Sequence, residues 1–286
     1  MTELTKKSVL ITGCSPGGIG HALALEFHSK GLHVIATARD KVVLKDLEDL
    51  GMTILSLDVT SKASTLEAKM AVEKLTGGGL DILVNNAGRN CTMPALDVDV
   101  TDARACFETN LFSIIQLTQT FTPLLIASKG LILNIGSIAA IVPYVFGSVY
   151  NASKAALHAF SNTLRLELEP FDVRVLVVVT GGVKSRIART ERVLPEGSLY
   201  VDIEDSFQRR VKHSQEGAMP AEVYARGVVR EALKGRTKKQ VWRGNKSGLV
   251  WWVWNFLGGW VFDLVVPGMF GLDRLRRIVK ERVVGK

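Results

Sequence analysis

Short, nearly continuous apolar runs alternate along this chain with stretches whose apolar residues recur every three to four positions. The runs are Ser8–Thr12, His33–Ala38, Thr53–Val59, Leu80–Val84, Gly130–Gly136 and Val173–Thr180. They are rich in β-branched residues and read as strands. Helical spacing is predicted between them over about Ile19–Lys30, Lys41–Leu50, Asp102–Ala127 and Val149–Glu169, with Gly31 and Pro170 as stops. Pro220 opens another helix over Ala221–Lys234, and Gln240–Trp242 adds a short last strand. Strands apolar on both faces and separated by helices predict an α/β protein with a doubly wound parallel sheet. The charged, irregular segment from Arg186 to Met219 breaks the alternation and is expected to cover the crevice at the strand ends as a lid.

Chemistry concentrates where the strands end. The first strand breaks into Gly13-Cys14-Ser15-Pro16-Gly17-Gly18-Ile19-Gly20 before a helix. That arrangement brings main-chain N–H groups and a helix N-terminus to a pyrophosphate. The second strand ends in Arg39-Asp40. Arg39, coming first, favours the extra phosphate of NADP(H), while Asp40 is either a ribose ligand or the cap of the next helix. Asp58 ends the third strand and suits either the adenine amine or a helix cap. Asn85-Asn86-Ala87-Gly88 ends the fourth, with Gly88 allowing close approach to a cofactor. Ser137 follows the fifth strand, and Tyr150 and Lys154 stand one helical turn apart on one face. An ammonium beside a phenol favours the phenolate and lowers its pKa, which makes an acid/base catalyst. Asn110 is a polar residue among apolar neighbours, and His158, one turn beyond Lys154, is assigned no role.

A length of 286 residues allows one α/β domain and an appendage. Cys14, Cys91 and Cys106 form no metal pattern and suit a reducing compartment, and Met1–Lys7 lacks the apolar core of a signal peptide. The net charge of +8 carries no nucleic-acid fold signature, because basic and acidic residues mostly interleave.

The glycine turn, Asn85-Asn86-Ala87-Gly88, Asn110, Ser137, Tyr150 and Lys154, in this order, resemble the short-chain dehydrogenase/reductase family across roughly residues 6–244. The resemblance implies a Rossmann-like domain over 1–244, with its lid at about 185–219. It implies Tyr150 as proton donor and acceptor, with Lys154 lowering its pKa and bonding the nicotinamide ribose. Ser137 would polarise the substrate carbonyl, and Asn110 would hold a water of the proton relay. Cofactor contacts would fall on Gly13, Ser15, Gly18, Ile19, Gly20, Arg39, Asp58, Val59, Asn86, Ala87, Gly88, Tyr150, Lys154 and Val183. No metal is implied. Two departures stand out. The glycine turn carries an extra residue, Gly17, and the family's usual Pro-Gly after the sixth strand is Thr180-Gly181, which should leave that turn more mobile.

Within the family the likeness is to a fungal acyl-dihydroxyacetone-phosphate reductase-like group. It implies NADPH-dependent reduction of an amphiphilic ketone, with Lys184, Arg186 and Arg189 available for a phosphate. Tailoring of a terpenoid, steroid or polyketide is the alternative, and a non-catalytic membrane scaffold a more distant one. A homodimer or homotetramer is compatible with the family.

Residues 245–286 form an apolar and basic extension. Leu249–Gly271 is long enough to span a bilayer, although Asp263, Pro267 and several glycines argue against a simple spanning helix. Its tryptophans suit an interface, and Asp273–Arg282 reads as a basic amphipathic helix. The favoured expectation is hairpin-like attachment to the cytoplasmic face of the endoplasmic reticulum or to a lipid droplet. The alternative is an apolar flap that packs on the domain, covers a greasy substrate pocket or forms a subunit interface, in a protein that is then cytoplasmic.

Overall fold

The computed structural model describes residues 6–187, 191–235 and 238–284. Seven strands form one sheet: β1 (Ser8–Ile11), β2 (His33–Ala38), β3 (Thr53–Ser56), β4 (Ile82–Asn85), β5 (Leu131–Ile135), β6 (Arg174–Thr180) and β7 (Gln240–Arg243). All pairings are parallel, in the order β3-β2-β1-β4-β5-β6-β7. The direction of winding reverses between β1 and β4, where open α/β sheets place their ligand crevice.

Helices cover both faces, as the strand patterns require. They are α1 (Ile19–Ser29), α2 (Lys45–Asp49), α3 (Lys62–Thr76), α4 (Val100–Phe107), α5 (Ser113–Ala127), α6 (Ser148–Glu167), α7 (Glu204–Lys212), α8 (Ala221–Ala232), α9 (Ser247–Phe256), α10 (Trp260–Met269) and α11 (Leu272–Val284). Alternate residues of one strand enter different cores. Val9 and Ile11 pack with Leu23 and Phe27 of α1 and Tyr224 and Val228 of α8, whereas Leu10 packs with Val72 of α3 and Phe121 and Leu125 of α5. A third core joins Val177 and Val179 of β6 to Phe146, Phe207 of α7, Val253 of α9 and Phe262 and Phe270 at α10. Residues such as Leu10, Phe27 and Phe121 are fully buried, each contributing about 1.5–3 kcal/mol relative to exposure.

Several boundaries differ from the sequence reading. β3 stops at Ser56. Asp58 instead accepts the Thr60 N–H and hydroxyl at 3.0 and 2.7 Å, a local turn that bends the chain away from the sheet. The cap of α3 is Ser61, not Asp58. The expected helix over Lys41–Leu50 is a 3₁₀ turn, Lys41–Leu44, running into the short α2. Asp40 caps that turn by accepting the Val42 N–H at 2.9 Å. The helix expected from Asp102 begins at Val100 under an Asp99 cap and is divided by a π-helical turn over Glu108–Phe112. α6 ends at Glu167, and Pro170 lies in the 3₁₀ turn that follows.

The apolar part of the extension is two ten-residue helices, α9 and α10, with Gly258 at positive φ in the link between them. Among the described residues, no helix is long and apolar enough to cross a membrane. One face (Val250, Val253, Phe262, Val266) is buried against the third core, while Trp251, Trp252, Trp254 and Trp260 are 42–61% exposed on the other. α11 buries no residue. It is tied to the lid region by Arg274–Asp205 and Arg282–Asp202 ion pairs.

Candidate active site

A cavity of about 940 Å³ opens along the carboxyl ends of the strands. Of the expected site residues, Gly13, Ser15, Gly18, Ile19, Arg39, Asp58, Val59, Asn86, Ala87, Gly88, Ser137, Tyr150, Lys154 and Val183 line it. Gly20 and Asn110 lie behind its wall.

The glycine turn is built for close approach. Gly13 has φ +72°, and a Cβ there would stand 3.0 Å from the Ala87 Cα. At Gly20 a Cβ would meet the Gly13 carbonyl oxygen and the Asn86 Nδ2 at 2.5 Å, so this glycine lets α1 pack under the turn. The Asn86 amide donates to the Thr12 and Gly13 carbonyls at 2.8 and 3.0 Å and locks the turn to the end of β4. The extra Gly17 adopts φ +73°, and the Gly18 N–H closes back on the Ser15 carbonyl at 3.1 Å. No side chain caps α1 and no acid occupies its first turn. Its first N–H groups therefore remain available to an anion. This cradle fits a dinucleotide pyrophosphate.

At one rim stand Arg39, Asp58 and Val59. Arg39 is exposed and makes no ion pair among the described residues. The Thr60 hydrogen bonds, with a smaller contribution from the Arg39 guanidinium, hold the Asp58 carboxyl below the usual range against the cost of burial. Asp40, committed to its cap, does not line the cavity.

At the centre, Ser137 follows β5, and its Oγ accepts the Ala139 N–H at 3.1 Å. Tyr150 lies in the first turn of α6. Burial pushes its phenol up to about 12, opposed by the Ser137 hydroxyl and by the Arg210 guanidinium. Lys154 is 5% exposed, donates to the Ile135 carbonyl at 3.0 Å and sits 5.9 Å from the Tyr150 ring centroid. Burial draws its ammonium down to about 8. The lowering of the Tyr150 pKa by Lys154 expected from helical spacing is not seen: burial raises the phenol, and the Lys154 hydrogen bond goes to the main chain instead.

Asn110 is fully buried in the π-helical turn. Its Oδ1 accepts the Arg89 N–H at 2.8 Å, and its Nδ2 donates to the Arg89 carbonyl at 2.9 Å and to Ser153 at 3.0 Å. These bonds occupy the amide, so its side chain shapes the wall rather than facing the cavity. In place of a proline ring, the Thr180-Gly181 turn is held by Gly181 N–H to Arg243 (2.8 Å), Gly182 N–H to Asn245 (3.0 Å) and a Thr180–Tyr224 hydroxyl bond (2.7 Å).

The sequence reading missed two residues. His158 Nε2 accepts the Ser137 N–H at 3.2 Å, supporting that residue from behind. Its position one turn past Lys154 was the available signal. Arg210, from α7, reaches the substrate end of the cavity beside Tyr144 and Tyr150, and nothing in its charged local sequence marks it. Of the expected lid cations, Lys184 is exposed and does not line the cavity. Arg186 donates to the Pro16 carbonyl at 3.4 Å beside the glycine turn, and Arg189 lies outside the described residues. Farther along the lid, Arg192 pairs with Asp102, which also pairs with Arg89.

Comparison with known proteins agrees with this geometry. The sequence profile described as short chain dehydrogenase matches residues 7–193. The short-chain dehydrogenase srdE of Neurospora crassa is 43% identical over 278 residues, covering 96% of each chain. The NADPH-dependent 1-acyldihydroxyacetone phosphate reductase of Schizosaccharomyces pombe is 46% identical over 201 residues, 68% of each chain. Among solved structures, a short-chain dehydrogenase from Streptomyces avermitilis superposes with a TM-score of 0.75 at 25% identity, over 98% of this chain and 96% of that one. Fold, glycine cradle and sequence matches agree, and the chain belongs to the short-chain dehydrogenase/reductase family of NAD(P)-binding oxidoreductases.

Proposed function

We propose that this protein is an NADPH-dependent reductase of a ketone on a lipophilic or amphiphilic substrate. The observation that carries the reading is the convergence of Ser137, Tyr150 and Lys154 on one cavity that also holds the glycine cradle. NADPH, when bound, supplies the hydride. Gly13, Ser15, Gly18 and Ile19 would hold its pyrophosphate at the α1 N-terminus, with Asn86, Ala87, Gly88 and Val183 along its length. Arg39, without an ion pair among the described residues while Asp40 is committed to its cap, would take the 2′-phosphate. Asp58 and Val59 would border the adenine.

Ser137 orients the ketone oxygen by donating its hydroxyl, and Tyr150 delivers the proton to that oxygen. A phenol held above its ordinary pKa is protonated at neutral pH, which is the state that reduction needs. Lys154 would bond the nicotinamide ribose, and the hydroxyl acceptors there would favour its charged form and so ease the loss of the Tyr150 proton. Asn110, its amide fully bonded, supports the relay by fixing the bend of the π-helical turn.

The S. pombe relative makes acyl-dihydroxyacetone phosphate the first substrate to try. The other reading, tailoring of a phosphate-free terpenoid or polyketide ketone, is favoured by the apolar third core around the substrate end. NADPH oxidation by purified protein separates them. Turnover of acyl-dihydroxyacetone phosphate supports the first, turnover of phosphate-free ketones alone supports the second, and no NADPH-dependent reduction of any ketone sinks both.

The tryptophan-bearing face of the α9–α10 hairpin is proposed to rest on a lipid surface, with Arg277 and Lys280 of α11 toward anionic headgroups. Flotation with anionic vesicles should fall when Trp251, Trp252, Trp254 and Trp260 are changed to Ser. Unchanged flotation would remove the proposal.

A further inference from the structure

Resting on the reading of this cavity as a ketone reductase site, we propose that Arg210 selects the substrate. It would bind an oxyanion, a carboxylate or a phosphate, carried close to the carbonyl that is reduced. Arg210 is only 7% exposed, yet it lines the cavity. Its Nε donates to the Val145 carbonyl at 3.0 Å. Its two terminal nitrogens have no protein hydrogen-bond acceptor among the described residues, and no carboxylate there pairs with it. The guanidinium carbon stands 5.3 Å from the Tyr144 ring centroid and 5.6 Å from that of Phe270, which fixes the plane of the fork.

An arginine buried without a counter-ion is costly, and cation–π contacts offset only part of that cost. Holding the Val145 loop needs only Nε and the stacked rings. It does not account for a charged fork left open toward a cavity. The ionisable neighbours leave that charge uncompensated. Tyr144 and Tyr150 are phenols raised by burial, and Glu216, which also lines the cavity, makes its contact with His213 at 3.1 Å rather than with Arg210. Position points to substrate rather than cofactor. A Cβ on Gly147, the N-cap of α6, would stand 2.9 Å from an Arg210 terminal nitrogen, and Tyr150 lies in the first turn beyond it. A bidentate fork there would bring an oxyanion beside the catalytic phenol, while Arg39 and Arg186 lie toward the glycine cradle and its rim.

The test uses NADPH-loaded full-length protein. Its melting temperature is measured with octanoate, octyl phosphate and octanol. At least one of the two anions should raise it and octanol should not; the anion that acts distinguishes carboxylate from phosphate. Arg210→Met should abolish the rise and Arg210→Lys keep part of it. In turnover, 3-oxooctanoate is compared with its methyl ester, and acyl-dihydroxyacetone phosphate with its dephosphorylated form. Arg210→Met should lower the ratio of kcat/KM for the anionic member of a pair to that for its neutral counterpart on the order of 10- to 100-fold. Stabilisation by octanol equal to that by the anions, or stabilisation by neither anion, overturns the proposal. So does an equal loss on both members of each pair. If Arg210→Met does not fold, the wild-type ranking and Arg210→Lys decide. Anion stabilisation without ketone turnover would count against the reductase reading and leave the oxyanion site standing.

Discussion

Acidification should destabilise this protein through one buried imidazole. His158 is 7% exposed and accepts the Ser137 N–H through Nε2. The ring packs so closely on Gly136 that a Cβ there would lie 2.2 Å from Nε2. Burial first, then the Lys154 ammonium, lower its pKa from 6.5 to about 4. Protonation would remove the acceptor and set a second cation near Lys154. Because the folded value lies below the unfolded one, the unfolded state binds the extra proton between them. The contribution is therefore complete above pH 6.5, falls as the pH drops toward 4, and is gone below that. The linkage amounts to about 2 kcal/mol by pH 5 and about 3 kcal/mol below pH 4. Urea unfolding of wild type and His158→Gln, at pH 7.5, 6 and 5, isolates this term. Glutamine can still accept the N–H but does not titrate, and all other groups cancel in the difference. The stability difference between the two proteins should shift by about 2 kcal/mol between pH 7.5 and 5. Parallel pH dependences would refute the buried-acceptor argument.

Other perturbations probe the cavity's two ends. Arg39→Asp should lower the NADPH-to-NADH ratio of kcat/KM on the order of 100-fold, the worth of a charge-assisted phosphate contact. An unchanged ratio would show that Arg39 does not read the phosphate. Phe270→Ala empties a fully buried ring site between the extension and the lid and should cost about 3–5 kcal/mol in chemical denaturation. A loss under about 1 kcal/mol would mean that the extension is not integral to the fold.

The sheet was legible because the central strands β1, β4, β5 and β6 are nearly continuous apolar runs, buried on both faces and separated by helices. The placement of the glycine turn, Arg39 and Asn86–Gly88 along one cavity was legible because each sits at a strand end. Boundaries were less so. Asp58 belongs to a turn closed by Thr60, and the cap role fell to Ser61, a competition among short polar side chains that spacing does not resolve. The substrate end was the least legible. Arg210 lies sixty positions from Tyr150 on a helix that also carries Arg209 and Lys212, and only tertiary packing distinguishes it from Arg209. In the extension, one face packs on the third core as the flap reading expects, and the other exposes the tryptophans on which the proposal of lipid contact rests.

The central claim is that the Tyr150 hydroxyl delivers the proton in ketone reduction. Its most direct test is the kcat of Tyr150→Phe with the best ketone found, alongside fluorescence titration of NADPH. The expected result is a fall in kcat on the order of 10²- to 10⁴-fold with NADPH affinity within about 3-fold of wild type. Turnover by the variant at the wild-type rate would contradict it.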